Sequence, residues 1–377
     1  MGAPQTYDVA VVGAGVFGAW TAYQLQRSGK RVVLIDAYGA ANFRASSGDA
    51  SRITRIGYGS DEIYSRSARR SLQLWKLFCK SLDEALFHQT GVLWLAYEND
   101  PYPTKSYETL TKLGVPVERL TIDQTRALFP AINLEGISWA MLEPESGVLS
   151  ASRAVQAVVR ETIKLGGEYR QGAVVNPSGQ GGLESLTISN GERVSAAKHV
   201  FACGPWLPKI FPDLLGERIH PTRQEVFYFA ASPALPTWID FKNEAYGLPN
   251  VEGHGLKIAI DRHGTSFDPD TGNREATAEG LAEARQYLAR RLPELQHAPL
   301  IAARVCQYEN TSNGDFLIDR HPEFENVWLV GGGSGHGFKH GPFVGEYVAA
   351  RIDGRTEGVE PRFSLATKKR EKKRLVY

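Results

Sequence analysis

Apolar positions along this chain follow two rhythms. The run "VAVV" at 9–12 is short, continuous and β-branched, as expected of a strand buried on both faces. "GAGVFG" interrupts it. An alanine- and leucine-rich stretch of helical spacing then runs to residue 28, where Gly29 provides the stop. "RVVLID" repeats the buried-strand pattern, so the opening segment predicts strand, glycine turn, helix, strand. A loop of small residues, 37–52, leads into a helix around 60–83. "TGVLWLAY" predicts a strand, and "SASRAVQAVVRETIKLGG" a helix with a serine start and a glycine stop. "RVSAAKHVFACGPW" predicts a strand running into a tight turn. Strand patterns dominate from "TRQEVFYFAA" to "GLKIAIDRHG", a helix is expected at 277–291, and "NVWLVGGGSGHGFKHGPFVGEYVAARIDG" again predicts strand, glycine turn, helix. Nucleotide-binding patterns at both ends imply a discontinuous domain of mixed α/β (α+β) class, with β-rich segments inserted.

Length and charge narrow the reading. At 377 residues the chain is long for one core and fits two connected domains. Lysine and arginine number 43 against 42 aspartate and glutamate, which gives no electrostatic basis for a nucleic-acid partner. The basic stretch "TKKREKKR" at 367–374 is expected to be a solvated, frayed terminus. Cys79, Cys203 and Cys306 have neither paired spacing nor a C-x-x-C, which argues against disulfides and zinc and for a reducing compartment. No apolar run approaches a membrane span. The first strand begins too early for a signal peptide, and "LVY" is not the peroxisomal tripeptide, so the expected location is the cytoplasm.

The glycine turn carries the first chemistry. Gly13, Gly15 and Gly18 form G-x-G-x-x-G after a strand and at the start of a helix, and Asp36 ends the next strand eighteen residues after Gly18. Gly13 permits the turn, Gly15 lets a pyrophosphate approach the backbone, and Gly18 lets helix pack on strand. The helix N-terminus faces the phosphates. The Asp36 carboxylate suits ribose hydroxyls and disfavours a 2′-phosphate, leaving NAD or FAD.

"VVGAGVFGAWTAYQL", "SSGDASRITRIGYG", "ACGPW", "YGLPNVEGHGLK", "CQYENTSNGDFLID" and "GSGHGFK", in that order, resemble the monomeric sarcosine oxidase and N-methyl amino acid oxidase group of the FAD-dependent D-amino-acid-oxidase-like family. The resemblance spans nearly the whole chain. It implies an FAD-binding domain of the glutathione-reductase type (1–83, 146–215 and 310–377) and a β-rich substrate domain (84–145 and 216–309). It implies covalent FAD, with Cys306 matching the cysteine that forms a thioether to the flavin 8-methyl group; read alone, Cys306 would be a small buried hydrophobe. Arg55 and Lys339 match the two cations that bind the substrate carboxylate. Arg52 matches an arginine near the flavin ring, and Lys257 the lysine that assists oxygen reduction. Tyr246 and Tyr308 match aromatic residues of the substrate cavity. The same resemblance places Val16, Phe17, Ser46, Val175, Cys203, Gly204, Trp206, Gly333, Gly335, His336, Gly337 and Phe338, with the glycines and Asp36 above, against the cofactor. It implies a monomer whose partners are a small amino acid and dioxygen. The substrate would give hydride from the carbon next to nitrogen to flavin N5, the imine would hydrolyse, and hydrogen peroxide would form.

Departures from that pattern bear on the substrate. Asp261 stands where a cavity histidine is usual, "ASSGDASR" lacks the family's histidines, Ser51 replaces a threonine, and His340 replaces an aromatic. Facing the cavity, Asp261 would favour a cationic or hydroxyl-bearing side chain; paired with Arg262 or a lysine at the rim, it would be structural. "DPDTGNREATAE" at 268–279 starts like a calcium loop, but Asn273 stands where the turn needs glycine and Arg274 follows it. His336 and His340 have metal spacing but lie in a glycine loop, and "GPW" carries no nucleophilic serine, so no metal is expected. Three rivals remain at this level: a dehydrogenase using another acceptor, a non-catalytic flavoprotein, and an NAD-dependent dehydrogenase.

Overall fold

The computed structural model describes residues 6–355 and 357–371. The opening pattern becomes β1 (Thr6–Val12), α1 (Val16–Arg27) and β2 (Val32–Asp36), with β1 and β2 parallel in the register Val9↔Val32 and Val12↔Ile35. The strand Arg193–Phe201 pairs parallel with β1 on its other side, and Val327–Gly331 lies parallel beyond it. Glu168–Gln171 extends the β2 edge, while Leu317–Arg320 closes the far edge antiparallel. Residues from both chain ends therefore build one sheet. Helices α1, Ala151–Lys164 and Gly341–Ile352 cover one face, and Phe201, Leu207 and Phe211 join the core on the other. That two-sided burial is why these strands read as unbroken apolar runs.

Glycines set the spacing of these layers. Gly13 has φ +102°, where only glycine is unstrained. A Cβ on Gly18 would overlap the Gly13 carbonyl oxygen, so α1 can follow β1 this closely only without a side chain. On the helix Gly341–Ile352, a Cβ at Gly345 would come within 2.6 Å of the Trp20 carbonyl oxygen.

A second, eight-stranded sheet stands beside the first. Its edge strand Leu300–Thr311 runs antiparallel along Ile219–Phe229, pairing Gln224 with Cys306 and Thr222 with Tyr308. Ala245–Leu248 and Leu256–Ile260 follow as a hairpin, and a buried Arg291–Asp240 pair at 3.0 Å ties the helix Ala278–Arg291 to the sheet. A small third sheet joins β3 (Ser51–Thr54) to Gly147–Ser150, so the predicted loop 37–52 ends in a strand. The helix expected at 60–83 is α2 (Glu62–Lys80), capped by the Asp61 carboxylate, which accepts from the Ile63 and Tyr64 amides.

The basic stretch departs from expectation. Lys368 is buried, and its ammonium donates to the Arg362 carbonyl at 2.6 Å and to Asn313 Oδ1 at 3.2 Å. Burial in turn pulls its pKa down to about 8. An ammonium that meets several fixed acceptors becomes a structural group rather than a solvated one; the expected tail beyond residue 371 lies outside the described residues. Among the described residues no helix is long and apolar enough to cross a membrane.

Replacing Gly18 with alanine is expected to destabilise the protein by at least about 1–3 kcal/mol, because the clash is with backbone that cannot rotate away. Chemical denaturation midpoints of wild type and Gly18→Ala check this; equal midpoints would mean that α1 and β1 can separate at no cost.

Candidate active site

A cavity of about 600 Å³ runs between the two large sheets. One end lies at the carboxyl edge of the parallel sheet. There Gly15, which lines the cavity, N-caps α1 without a side chain of its own, so the positive end of the helix lies at the cavity. The Val16 amide is met by Ser47 Oγ at 3.0 Å. Asp36 is held by three amides: Ala14 N donates to Oδ2 at 2.7 Å, and Tyr38 N and Gly39 N each donate to Oδ1 at 2.9 Å. Burial still raises its pKa. Cys203, Gly204 and Trp206 form the turn after Arg193–Phe201 and line the same end, with Trp206 Nε1 donating to Asp270 at 2.7 Å. Asp268 and Asp270, taken from the rejected calcium-like loop, bind Lys209.

Toward the middle, Cys306 lies on the edge strand of the second sheet. Arg52 Nη2 donates to its sulfur at 3.1 Å and to the Ser46 carbonyl at 2.8 Å. Arg52 Nη1 donates to Asp49 Oδ2 at 2.5 Å. Lys257, from the strand Leu256–Ile260, is 1% exposed, and its ammonium donates to the same carboxyl oxygen at 2.5 Å and to the Ser51 carbonyl at 3.0 Å. Tyr228 Oη donates to the other oxygen at 2.6 Å. One buried carboxylate thus faces a buried ammonium and a half-buried guanidinium. Burial opposes its charge, but Lys257 and Arg52 hold the Asp49 pKa far below its ordinary value. Burial lowers the Lys257 pKa to about 8, against the pull of Asp49 and with the push of Arg52.

The inner end is a second cationic pair. Arg55 stacks its guanidinium 4.3 Å from the Tyr58 ring centroid and 5.1 Å from that of Trp94. Lys339 Nζ donates to Tyr58 Oη at 2.9 Å and to the His336 carbonyl at 2.8 Å. Burial, followed by the nearby Arg55 charge, drives the Lys339 pKa well below its ordinary value. Tyr58 Oη also meets His340 Nε2 at 2.6 Å, whose Nδ1 meets Ser67 Oγ at 2.6 Å. His340 is thereby absorbed into a buried chain and, like His336, has aromatic neighbours; among the described residues no cluster of His, Cys, Asp or Glu could hold a metal ion. Tyr246, Tyr308 and Asp261 line this part of the cavity. Gly335, at φ +83°, lies against Tyr308, whose ring would be 2.7 Å from a Cβ placed there. Arg262 pairs with Glu283 outside the cavity.

Nearly all the residues singled out from sequence meet here: Gly13, Gly15, Val16, Phe17, Asp36, Ser46, Arg52, Arg55, Cys203, Gly204, Trp206, Tyr246, Lys257, Asp261, Cys306, Tyr308, Gly333, Gly335, His336, Gly337, Phe338 and Lys339 all border the cavity. Gly18 does not; it acts one turn behind, by letting α1 approach. Val175 does not either. Its side chain is 54% exposed and Val174 borders the cavity instead, because neighbouring residues of an extended segment point to opposite sides. Three carboxylates went unassigned in the sequence reading. Asp49 lies inside the quoted "SSGDASR", where a lone acid before an arginine was the available signal. Glu143 accepts from the Ile56 and Gly57 amides at 2.6 and 3.0 Å and so fixes the turn after Arg55; nothing local to it marks that task. Glu309 lies immediately after Tyr308.

Comparison with known proteins adds the family. The family described as FAD dependent oxidoreductase matches residues 8–351. The chain is 31% identical to the monomeric sarcosine oxidase of Bacillus sp. (strain B-0618) over 374 residues, covering 93% of each. It is 30% identical to the peroxisomal sarcosine oxidase of Homo sapiens over 358 residues, covering 91% of each. Its fold is similar to that of the L-proline dehydrogenase of P. horikoshii, with a TM-score of 0.83 at 22% identity, covering 96% of this chain and 98% of that one.

Exchanging Asp49 for asparagine would leave the buried Lys257 and the half-buried Arg52 without their counter-charge. The expected cost is about 3–5 kcal/mol of stability, together with a Lys257 pKa below its present value of about 8. Denaturant unfolding tests the first and pH titration of Lys257 modification by an amine reagent the second; unchanged stability would mean that water already shields the pair.

Proposed function

Since the chain belongs to the family of FAD dependent oxidoreductases and is an FAD-dependent oxidoreductase of amines or amino acids, we propose that it oxidises a small amino acid bearing a secondary amine, N-methyl or cyclic, with dioxygen as acceptor. The observation that carries the substrate class is the pair Arg55 and Lys339, two buried cations converging on Tyr58. Side by side they repel each other, and a carboxylate bound against both relieves that repulsion through charge-assisted hydrogen bonds. Bound FAD supplies the chemistry, accepting hydride from the carbon beside nitrogen and passing two electrons to dioxygen as hydrogen peroxide.

The residues present fit that cofactor. The uncapped start of α1 at Gly15 suits the pyrophosphate, and Asp36, already oriented by three amides, suits ribose hydroxyls. Cys306 is the attachment point for the flavin methyl group, with Arg52 Nη2 donating to its sulfur and holding it in place. Lys257 offers a fixed positive charge for developing superoxide, and Tyr246 with Tyr308 forms apolar walls for the substrate. Asp261 gives the cavity a negative side and favours a cationic or hydroxyl-bearing side chain on the substrate. Sarcosine oxidation is the activity in the relatives' names; the exchange of a histidine for Asp261 points this chain to a different amine. On this reading the first large sheet belongs to a cofactor domain (1–83, 146–215 and 310–377) and the second to a substrate domain (84–145 and 216–309). A monomer in the cytoplasm completes the reading, supported by the relative named monomeric and by three free thiols.

One observation favours a dehydrogenase as the second reading: Lys257 is engaged by Asp49 at 2.5 Å, which offsets part of the charge offered to dioxygen. An amine panel assayed under air decides between them. Peroxide formed in step with substrate loss supports the oxidase, whereas turnover only with an added dye supports the dehydrogenase. Arg55→Met is expected to raise KM for the amino acid on the order of tenfold to a hundredfold, the loss of one or two charged hydrogen bonds. After acid precipitation the yellow colour should stay with the wild-type pellet and leave that of Cys306→Ala; colour released from both would remove the thioether. Because Lys257 titrates near pH 8, the reoxidation rate should fall as pH rises through that value and become independent of it in Lys257→Met.

A further inference from the structure

Two buried acceptors on the edge strand of the second sheet are unused by anything described so far. Gln307 and Glu309 are 0% and 7% exposed, border the cavity, and stand two apart on Leu300–Thr311. Residues two apart in a strand share a face and lie roughly 6.5–7 Å apart. The Gln307 amide nitrogen donates to the Arg44 carbonyl at 2.7 Å, which fixes the orientation of the amide. Its Oε1 has no hydrogen-bond partner among the described residues. Glu309 Oε1 accepts from Gly333 N at 3.1 Å, while Glu309 Oε2 likewise has no hydrogen-bond partner among the described residues. A buried acceptor left without a donor forfeits its hydration with nothing in exchange, so two on one strand face point to a ligand that brings donors.

Their place along the cavity identifies the segment of that ligand. Cys306, at the ring end of the site, immediately precedes Gln307 on the strand. Beyond it, Glu309 Oε2 would lie 3.1 Å from a Cβ on Gly331 and 3.9 Å from one on Gly204, at the carboxyl edge of the parallel sheet where the dinucleotide cradle begins. The strand thus leads from the ring end toward the phosphate end. Phosphate has no donors and would be repelled by a carboxylate. Resting on the FAD assignment above, we propose that Gln307 and Glu309 form a hydrogen-bonding rail for the ribityl chain of the cofactor, accepting from its hydroxyl groups. The uncharged polyol brings several O–H donors on one short chain, whereas a flavin ring edge would bring a single N–H. Burial raises the Glu309 pKa to about 7, against the pull of the Gly333 and Gly332 amides, so the acid sits here without a cation to stabilise it. Its environment suits a neutral, hydroxyl-bearing neighbour.

The test keeps cofactor binding reversible by using the full chain carrying Cys306→Ser, stripped of flavin. Dissociation constants of FAD and of its 2′-, 3′- and 4′-deoxyribityl analogues are measured by flavin fluorescence for this parent protein and for added Glu309→Leu, Glu309→Gln and Gln307→Leu. Glu309→Leu is expected to weaken FAD on the order of tenfold to a hundredfold. Glu309→Gln, which keeps an acceptor of the same shape, should lose less. For at least one deoxy analogue the difference between the parent and its Glu309→Leu variant should vanish, since the hydroxyl that Glu309 served is gone. Gln307→Leu should behave alike with the same or a neighbouring analogue. Equal losses for FAD and all three analogues would overturn the rail, because a folding or packing defect does not depend on one hydroxyl. Absence of flavin binding by the parent protein would overturn the FAD assignment itself, a different result from flavin binding that ignores these two residues.

Discussion

The site is organised around the buried carboxylate of Asp49, which faces Arg52, Lys257 and Tyr228 at once. Charges this far from water persist only when paired and hydrogen-bonded. These four groups come from three places in the fold: the loop and strand at 49–52, the strand Ile219–Phe229 and the strand Leu256–Ile260. Pairing them therefore joins the small third sheet to the second sheet beneath the cavity. Arg52 then reaches the sulfur of Cys306 on a further strand, so the position of the thiol depends on the same carboxylate.

The inner cation pair follows a different logic. Arg55 and Lys339 rest on a tyrosine ring and hydroxyl, with His336 and His340 behind it. Glu143 acts from the rear, taking the amides of Ile56 and Gly57 and so shaping the turn that aims Arg55. The Arg55 charge disfavours a second positive charge on Lys339. The inner pair differs in this from the outer cluster, where the Asp49 carboxylate is shared directly by Arg52 and Lys257.

The same cavity is bordered by a strand edge whose Gln307 Oε1 and Glu309 Oε2 meet no donor among the described residues. The cavity thus changes chemical character along its length: amides and an uncapped helix end, then acceptors, then a thiol with an arginine, then paired cations with aromatic walls. A long cofactor with phosphate, polyol and ring segments is the kind of molecule such a gradient matches. A smaller ligand would leave much of it unused.

Local patterns carried the first parallel strands, the helices at both ends and the dinucleotide turn, because short-range sterics govern them. Gly13 and Gly18 announce a close backbone approach that no other residue allows, and continuous apolar strands announce burial on both faces. The quoted motifs around Arg52, Cys306 and Lys339 marked the positions that border the cavity. Sequence could not say that Asp49 would serve two cations, that Glu143 would hold a turn 86 residues away, or that Lys368 would be buried. Nor could it tell that Val174 rather than Val175 faces inward, or that Gln307 Oε1 and Glu309 Oε2 meet no donor among the described residues. Those facts depend on which distant backbone and side chains come within about 3 Å of each polar atom. That meeting is a property of the packed sheets, decided only when strands from opposite ends of the chain come together.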